Sequence, residues 1–191
     1  MMIRLKPAQK ENALEKTVES QQVYDGKLLH IYRDVVEIEN GHHTIREVAK
    51  HPGGVCVAAV DEQENVWFVR QFRYAVGEDV LELPAGKLEL GENPDEAVRR
   101  ELSEETGCEA RVWEKVGVCY PSPGYTSEVL HLYIASDLTN GSQHLDPDED
   151  LKAFQLPLSQ ALQELKGGKI VDAKTQILLL TLQCRRGGRQ K

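Results

Sequence analysis

Three glutamates carry the most legible chemistry in this sequence. Glu101, Glu104 and Glu105 fall at i, i+3 and i+4 of a segment that reads as a helix, so their carboxylates share one face. Like charges at that spacing cost an isolated helix roughly 0.2–0.5 kcal/mol per pair, so the cluster needs a counter-ion or open water. Arg99 and Arg100 stand beside it and can relieve part of the repulsion. Taken alone, the cluster fits two readings. One is a solvated acidic face. The other is a seat for a hard divalent cation such as Mg²⁺, which takes oxygen ligands from a few carboxylates together with substrate phosphates.

The helix that must position these groups has both ends marked. Asn93 suits the N-cap, Pro94 the first helical position, and Glu96 completes an N-x-x-E capping arrangement. Gly107 supplies the left-handed residue that ends about three and a half turns. Ala97, Val98 and Leu102 can seat the helix on a core. Ahead of it, Gly86 is followed after five residues by Glu92. Seven residues later comes Arg100-Glu101-Leu102-Ser103-Glu104-Glu105-Thr106-Gly107.

This stretch resembles a Nudix box, G-x5-E-x7-R-E-U-x-E-E-x-G-U with U a bulky aliphatic residue. Every defined position matches except the last, where Cys108 stands; cysteine behaves as a small buried hydrophobe. So many fixed positions set the match apart from a chance cluster of carboxylates. The resemblance implies an α/β fold: a Nudix-type α/β/α sandwich with a mixed sheet, plus a small N-terminal antiparallel β-sheet subdomain. It also implies divalent-metal-dependent hydrolysis of a diphosphate linkage, with Mg²⁺ as cofactor and Mn²⁺ as the alternative. Glu101 and Glu105 become the principal metal ligands, and Glu104, also a catalytic candidate, completes the cluster with the Ala85 carbonyl. Arg100 is expected to position a glutamate.

Four further stretches resemble the ADP-ribose pyrophosphatase and nucleoside diphosphate sugar hydrolase branch of that family. They are the N-terminal strand pattern, REVAKHPG, the run QFR…LELPAGKLE, and YPSPGYTSE with Pro123 sixteen residues beyond Gly107. The DAKT helix opening looks like that branch too. The resemblance implies hydrolysis of ADP-ribose to AMP and ribose 5-phosphate. Another nucleoside diphosphate sugar such as GDP-mannose, or a nucleotide-sensing module without catalysis, is the alternative. It places Arg46 and Arg73 on the diphosphate or terminal ribose, and Glu82 and Glu128 in the substrate cavity. Read without it, Arg73 and Glu82 are polar residues in or beside apolar strands, equally compatible with an exposed edge. The family's acidic loop corresponds to Leu145–Asp150, where Glu149 is expected on a metal or the nucleophilic water and Asp148 as the fallback base. Pro147 departs from the family's D-E-D-E run there.

Composition bounds the rest. The 191 residues carry 23 basic and 31 acidic side chains, a net charge of −8 with no basic stripe, which argues against nucleic acid or an anionic membrane as partner. No run approaches the length of an apolar membrane span, and the N-terminus lacks a signal-peptide core. Cys56, Cys108, Cys119 and Cys184 show no metal-ligand spacing and read as reduced thiols of a cytoplasmic protein.

Two domains are expected. Residues 1–51 form an arm and a small antiparallel sheet, serving dimerisation and as a substrate wall; residues 52–191 form the hydrolase domain. Asp25-Gly26 and Asn40-Gly41 mark turns between the first strands. A two- or three-stranded sheet is marginal alone, so it should dock on the main domain or on a second copy, as in homodimeric relatives. Near the C-terminus, Ser159 is expected to cap a short helix and Asp172 the last one. Ala173, Ile177, Leu180 and Cys184 would form the stripe that meets the core. The tail RRGGRQK is expected to be unstructured.

Overall fold

The computed structural model describes residues 14–145 and 150–188. In chain order it holds β1 (Glu15–Asp25), β2 (His30–Ile38), β3 (His43–Lys50), β4 (Gly54–Ala59), β5 (Asn65–Arg73), β6 (Glu78–Glu82) and β7 (Ala85–Lys87). There follow α1 (Pro94–Thr106), β8 (Cys108–Cys119), β9 (Leu130–Asn140), β10 (Leu151–Pro157), α2 (Leu158–Lys166) and α3 (Ala173–Gly188). Contacts divide the chain into two units. One runs to Pro52 and includes Ser122–Glu128; the other comprises Gly53–Pro121 and the chain from Val129 onward.

The first unit is an antiparallel sheet in the order β1-β2-β3. Its second turn follows its sequence signal. Gly41 takes φ +79°, its amide reaches the Ile38 carbonyl at 2.8 Å, and Asn40 Oδ1 accepts from the His42 amide at 3.0 Å. Residues 122–128 join this unit through main-chain bonds, Ala49 N–H to Tyr125 O at 2.7 Å and Ser127 N–H to Ala49 O at 3.0 Å. Among the described residues of the unit only Val36 is buried, while Val18, Val23, Tyr24, Leu28, Leu29 and Ile45 are exposed. The sheet has almost no core of its own.

The second unit is built around β4. Its sequence GVCVAA contains no polar side chain, and all six residues are buried. β4 pairs in parallel with β9 and antiparallel with β7, giving a mixed sheet in the order β7-β4-β9-β8. Alternate residues of β4 serve opposite faces, as the two-residue repeat of a strand requires. Val55, Val57 and Ala59 pack with Ala97, Val98 and Leu102 of α1. Cys56 and Ala58 share the other cluster with Leu158 and Ala161 of α2 and Leu178 and Leu179 of α3. A second antiparallel sheet, β10-β5-β6, contributes Val66, Phe68 and Leu81 to that cluster. Helices therefore cover both faces of the mixed sheet, the layering of an α/β/α sandwich. No helix among the described residues is long and apolar enough to cross a membrane.

Three local expectations need correction. Ser159 does not cap α2. Pro157 holds the cap position without a side-chain bond, and the Leu158 amide donates instead to the Glu64 carbonyl at 2.9 Å. Nor does the stripe Ala173, Ile177, Leu180, Cys184 face the core, since all four are exposed while Thr175, Leu178 and Leu179 are fully buried. The run Ile177–Leu180 is apolar on every side, so periodicity alone does not fix its phase. Finally, Arg185 and Arg186 continue α3 rather than starting a loose tail: Arg185 grips Glu114 at 2.5 and 2.6 Å, and Arg186 pairs with Glu64.

Candidate active site

Helix α1 starts and stops by local chemistry. Asn93 has extended backbone angles and its side chain accepts from the Asp95 amide at 3.0 Å; Gly107 closes the helix at φ 69°, ψ 10°. The side-chain acceptor serves Asp95 rather than Glu96, so the cap is an Asn turn and not the reciprocal box. Between those ends Glu101 and Glu105 are nearly buried, at 7% and 3% exposure.

The loop facing them comes from β7. Cys56 and Val55 of β4 pair with Ala85 and Gly86, which fixes that backbone against the helix. The Ala85 amide donates to Glu105 Oε2 at 2.9 Å. A Cβ on Gly86 would lie 2.0 Å from Glu101 Oε1, so only glycine lets the main chain approach this carboxylate. Buried carboxylates pressed on a backbone supply hard oxygen donors, the kind of set that suits a hard divalent cation.

Arg100 ties the cluster together. Its Nε and Nη2 donate to Glu92 Oε1 and Oε2 at 2.9 and 3.0 Å, and Nη2 also reaches the Lys87 carbonyl at 3.3 Å. Its Nη1 donates to Glu101 Oε1 and Glu104 Oε2, both at 2.9 Å. The Glu92 carboxylate raises the Arg100 pKa, and Arg100 in turn lowers that of Glu92. Among the described residues no three His, Cys, Asp or Glu side chains are arranged to hold a metal. The Nη1 donor lies where it engages Glu101 and Glu104 together.

A cleft lies at the ends of β5 and β6, lined in part by Arg73, Glu82, Asp172 and Lys174. Glu82 is only 2% exposed. Arg73 donates to it through Nε at 2.6 Å and through Nη2 to Oε2 at 2.8 Å, and Lys174 Nζ donates to the same Oε2. Burial pushes the Glu82 carboxyl up, but Arg73 and Lys174 outweigh it and hold the group below the usual glutamate range. The field of Glu105 reaches Arg73, so this cleft and the carboxylate cluster are electrostatic neighbours.

The structure thus brings Glu101, Glu104, Glu105 and Ala85 together, and separately Arg73 and Glu82. Arg46 and Glu128 belong to the first unit. There Arg46 grips Glu15 at 2.6 and 3.0 Å, and Glu128 lies 3.8 Å from His51. Asp148 and Glu149 lie outside the described residues. Sequence reasoning gave no role to Lys174 or to the Glu92 grip on Arg100. Glu92 was signalled by its fixed place before the helix, and Lys174 by its position two residues after a helix-capping aspartate.

Residues 50–177 match the NUDIX domain model. The chain belongs to the Nudix family. Residues 15–49 match the nucleoside diphosphate sugar hydrolase N-terminal domain. This Nudix chain is 38% identical over 171 residues to the ADP-ribose pyrophosphatase of Bacillus subtilis (strain 168), covering 88% of this chain and 92% of that one. It is 39% identical, with the same coverage, to the methanol dehydrogenase activator of Bacillus methanolicus. Identity to the GDP-mannose pyrophosphatase of Cronobacter sakazakii is 36%, over 73% of this chain and 78% of that protein. The fold matches a crystal structure of an ADP compounds hydrolase with a TM-score of 0.78 at 22% identity, over 95% of this chain and 100% of that one. The Nudix box is therefore Gly86–Cys108. Its one departure is harmless to packing: Cys108 is fully buried, and burial pushes its thiol up to about 11.

Proposed function

We propose that this Nudix protein hydrolyses the diphosphate linkage of ADP-ribose to AMP and ribose 5-phosphate, with Mg²⁺ as cofactor. The observation that carries the chemistry is the burial of Glu101 and Glu105 against the Ala85–Gly86 backbone. Likeness to an ADP-ribose pyrophosphatase over most of the chain supports the substrate. Glu101 and Glu105, with Glu104 and the Ala85 carbonyl, would hold the cation. A divalent cation so held neutralises phosphate oxygens and lowers the pKa of a bound water.

The chain's own groups do the remainder. Arg100 yields Glu101 and Glu104 while staying anchored on Glu92 and the Lys87 carbonyl. Arg73 and Arg46 take the diphosphate or terminal ribose, and Glu82 and Glu128 shape the cavity. Glu149 orients the attacking water, with Asp148 the fallback base. Residues 1–51 serve as dimerisation sheet and substrate wall, and 52–191 as the hydrolase domain. The near-coreless β1-β2-β3 sheet supports pairing with a second copy. Four free thiols support a cytoplasmic location.

Likeness to a GDP-mannose pyrophosphatase favours a second reading, hydrolysis of that nucleoside diphosphate sugar. Turnover with Mg²⁺ on ADP-ribose, GDP-mannose, UDP-glucose and NADH, with Glu105→Gln as control, separates them. Preference for ADP-ribose, lost in the control, is the expected result. Preference for GDP-mannose keeps the chemistry and moves the specificity. Nucleotide binding without turnover of any substrate overturns the enzymatic reading.

A further inference from the structure

The cleft beside the box carries a side-chain chain of which the hydrolytic reading uses Arg73 and Glu82 but gives no part to Lys174 or Asp172. Asp172 caps α3, its Oδ2 accepting from the Thr175 amide at 3.0 Å and hydroxyl at 2.6 Å. That same hydroxyl accepts from the Leu83 amide at 2.8 Å, so the start of α3 is tied to the residue after β6. Asp172 Oδ1 takes Lys174 Nζ at 2.8 Å, and Nζ goes on to Glu82. Glu82 then holds the Nε–Nη2 edge of Arg73. Both Glu82 oxygens are thus engaged inside the protein, and its 2% exposure leaves little of it for a ligand. Arg73 differs. Its side chain is 42% exposed, and its Nη1 makes no hydrogen bond among the described residues.

We propose that Asp172, Lys174 and Glu82 form a positioning relay that fixes Arg73 with its Nη1 edge free for the anionic group of the substrate. The inference rests on the hydrolytic reading above for the identity of that anion, a diphosphate. A guanidinium gripped along one edge by a carboxylate keeps a planar, pre-oriented fork on the other, so less freedom is lost when an oxyanion binds. Lys174 contributes by holding Glu82. Without it the carboxylate keeps one cation instead of two and can swing with Arg73. Lys174 is therefore a positioning residue that acts through Glu82 on affinity.

The test compares Lys174→Met, Lys174→Gln and Lys174→Arg with the wild-type enzyme. Two quantities are read: the KM and kcat for the preferred nucleoside diphosphate sugar, and the ¹⁵N–¹H resonance of the Arg73 Nε–H, assigned through Arg73→Lys. Lys174→Met should raise KM about tenfold with kcat within about threefold. The Nε–H signal, protected in the wild type by Glu82, should broaden or exchange faster. Lys174→Arg should restore both, and Lys174→Gln stands in if Lys174→Met does not fold. Unchanged KM and an unchanged signal overturn the relay. A raised KM with an unchanged Arg73 signal also overturns it, by placing Lys174 on the substrate itself. So does a fall in kcat at constant KM. If the wild type turns over no nucleoside diphosphate sugar, the hydrolytic reading fails, and the Arg73 signal alone then decides the relay.

Discussion

Two clusters of charge sit in the same unit, and they are balanced in opposite ways. On α1, one guanidinium serves three carboxylates: Arg100 bonds Glu92, Glu101 and Glu104, with Glu105 close by on the Ala85 amide. At the start of α3, two cations serve two carboxylates, Arg73 and Lys174 against Glu82 and Asp172. The first cluster is rich in carboxylate oxygens, with one guanidinium shared among Glu92, Glu101 and Glu104. The second sets two cations against two carboxylates, and among the described residues the Nη1 edge of Arg73 stays open as a donor. Glu101, Glu104 and Glu105 would hold a cation and Arg73 would meet an oxyanion, the two kinds of contact a diphosphate would need.

The contrast can be broken most strongly at Glu105. Glu105→Gln should lower turnover about a thousandfold while leaving the fold intact, read by steady-state kinetics beside a melting curve. Retention of wild-type turnover would deny the Glu105 carboxylate any catalytic use. Glu82→Ala should show the reverse weighting. Taking away the carboxylate that Arg73 and Lys174 share leaves a poorly compensated charge and costs about 3 kcal/mol of stability in urea unfolding. The matching change Glu104→Ala, on a side chain 31% exposed, should cost less than about 1 kcal/mol. The smallest effect is on pH dependence. Because the folded-state pKa of Glu82 lies below its unfolded value, its contribution is complete above the ordinary glutamate pKa and is lost as pH falls through the lower value. The stability gap between wild type and Glu82→Gln should therefore narrow in acid. A gap independent of pH would mean that Glu82 is not held as a carboxylate.

The two clusters also differ in how far the sequence exposes them. The box helix is a local object: Asn93, Pro94 and Gly107 fix its ends, and its glutamates share a face by spacing alone. The Lys174–Glu82 bond joins residues 92 positions apart, and no local rule connects them. The same distinction runs through the fold. The Asn40-Gly41 turn and the buried β4 run are visible in their own residues. The buried face of α3 is not, because Ile177–Leu180 offers apolar side chains all round and the choice falls to what packs opposite. Glu149 and Asp148 remain a reading of the acidic loop alone.

The parallel pairing of β4 with β9 has a consequence for how the molecule comes into being. Gly54 must find Leu130, and Ala59 must find Ala135, across a long stretch of intervening chain. Contacts so distant along the chain form late, after loop closure has been overcome. The backbone at Ala85 and Gly86 hangs on β4, and β4 has its second neighbour only once β9 has been synthesised. A nascent chain that ends before Leu130 already carries every residue of the Nudix box, yet it holds them on a sheet with an open edge.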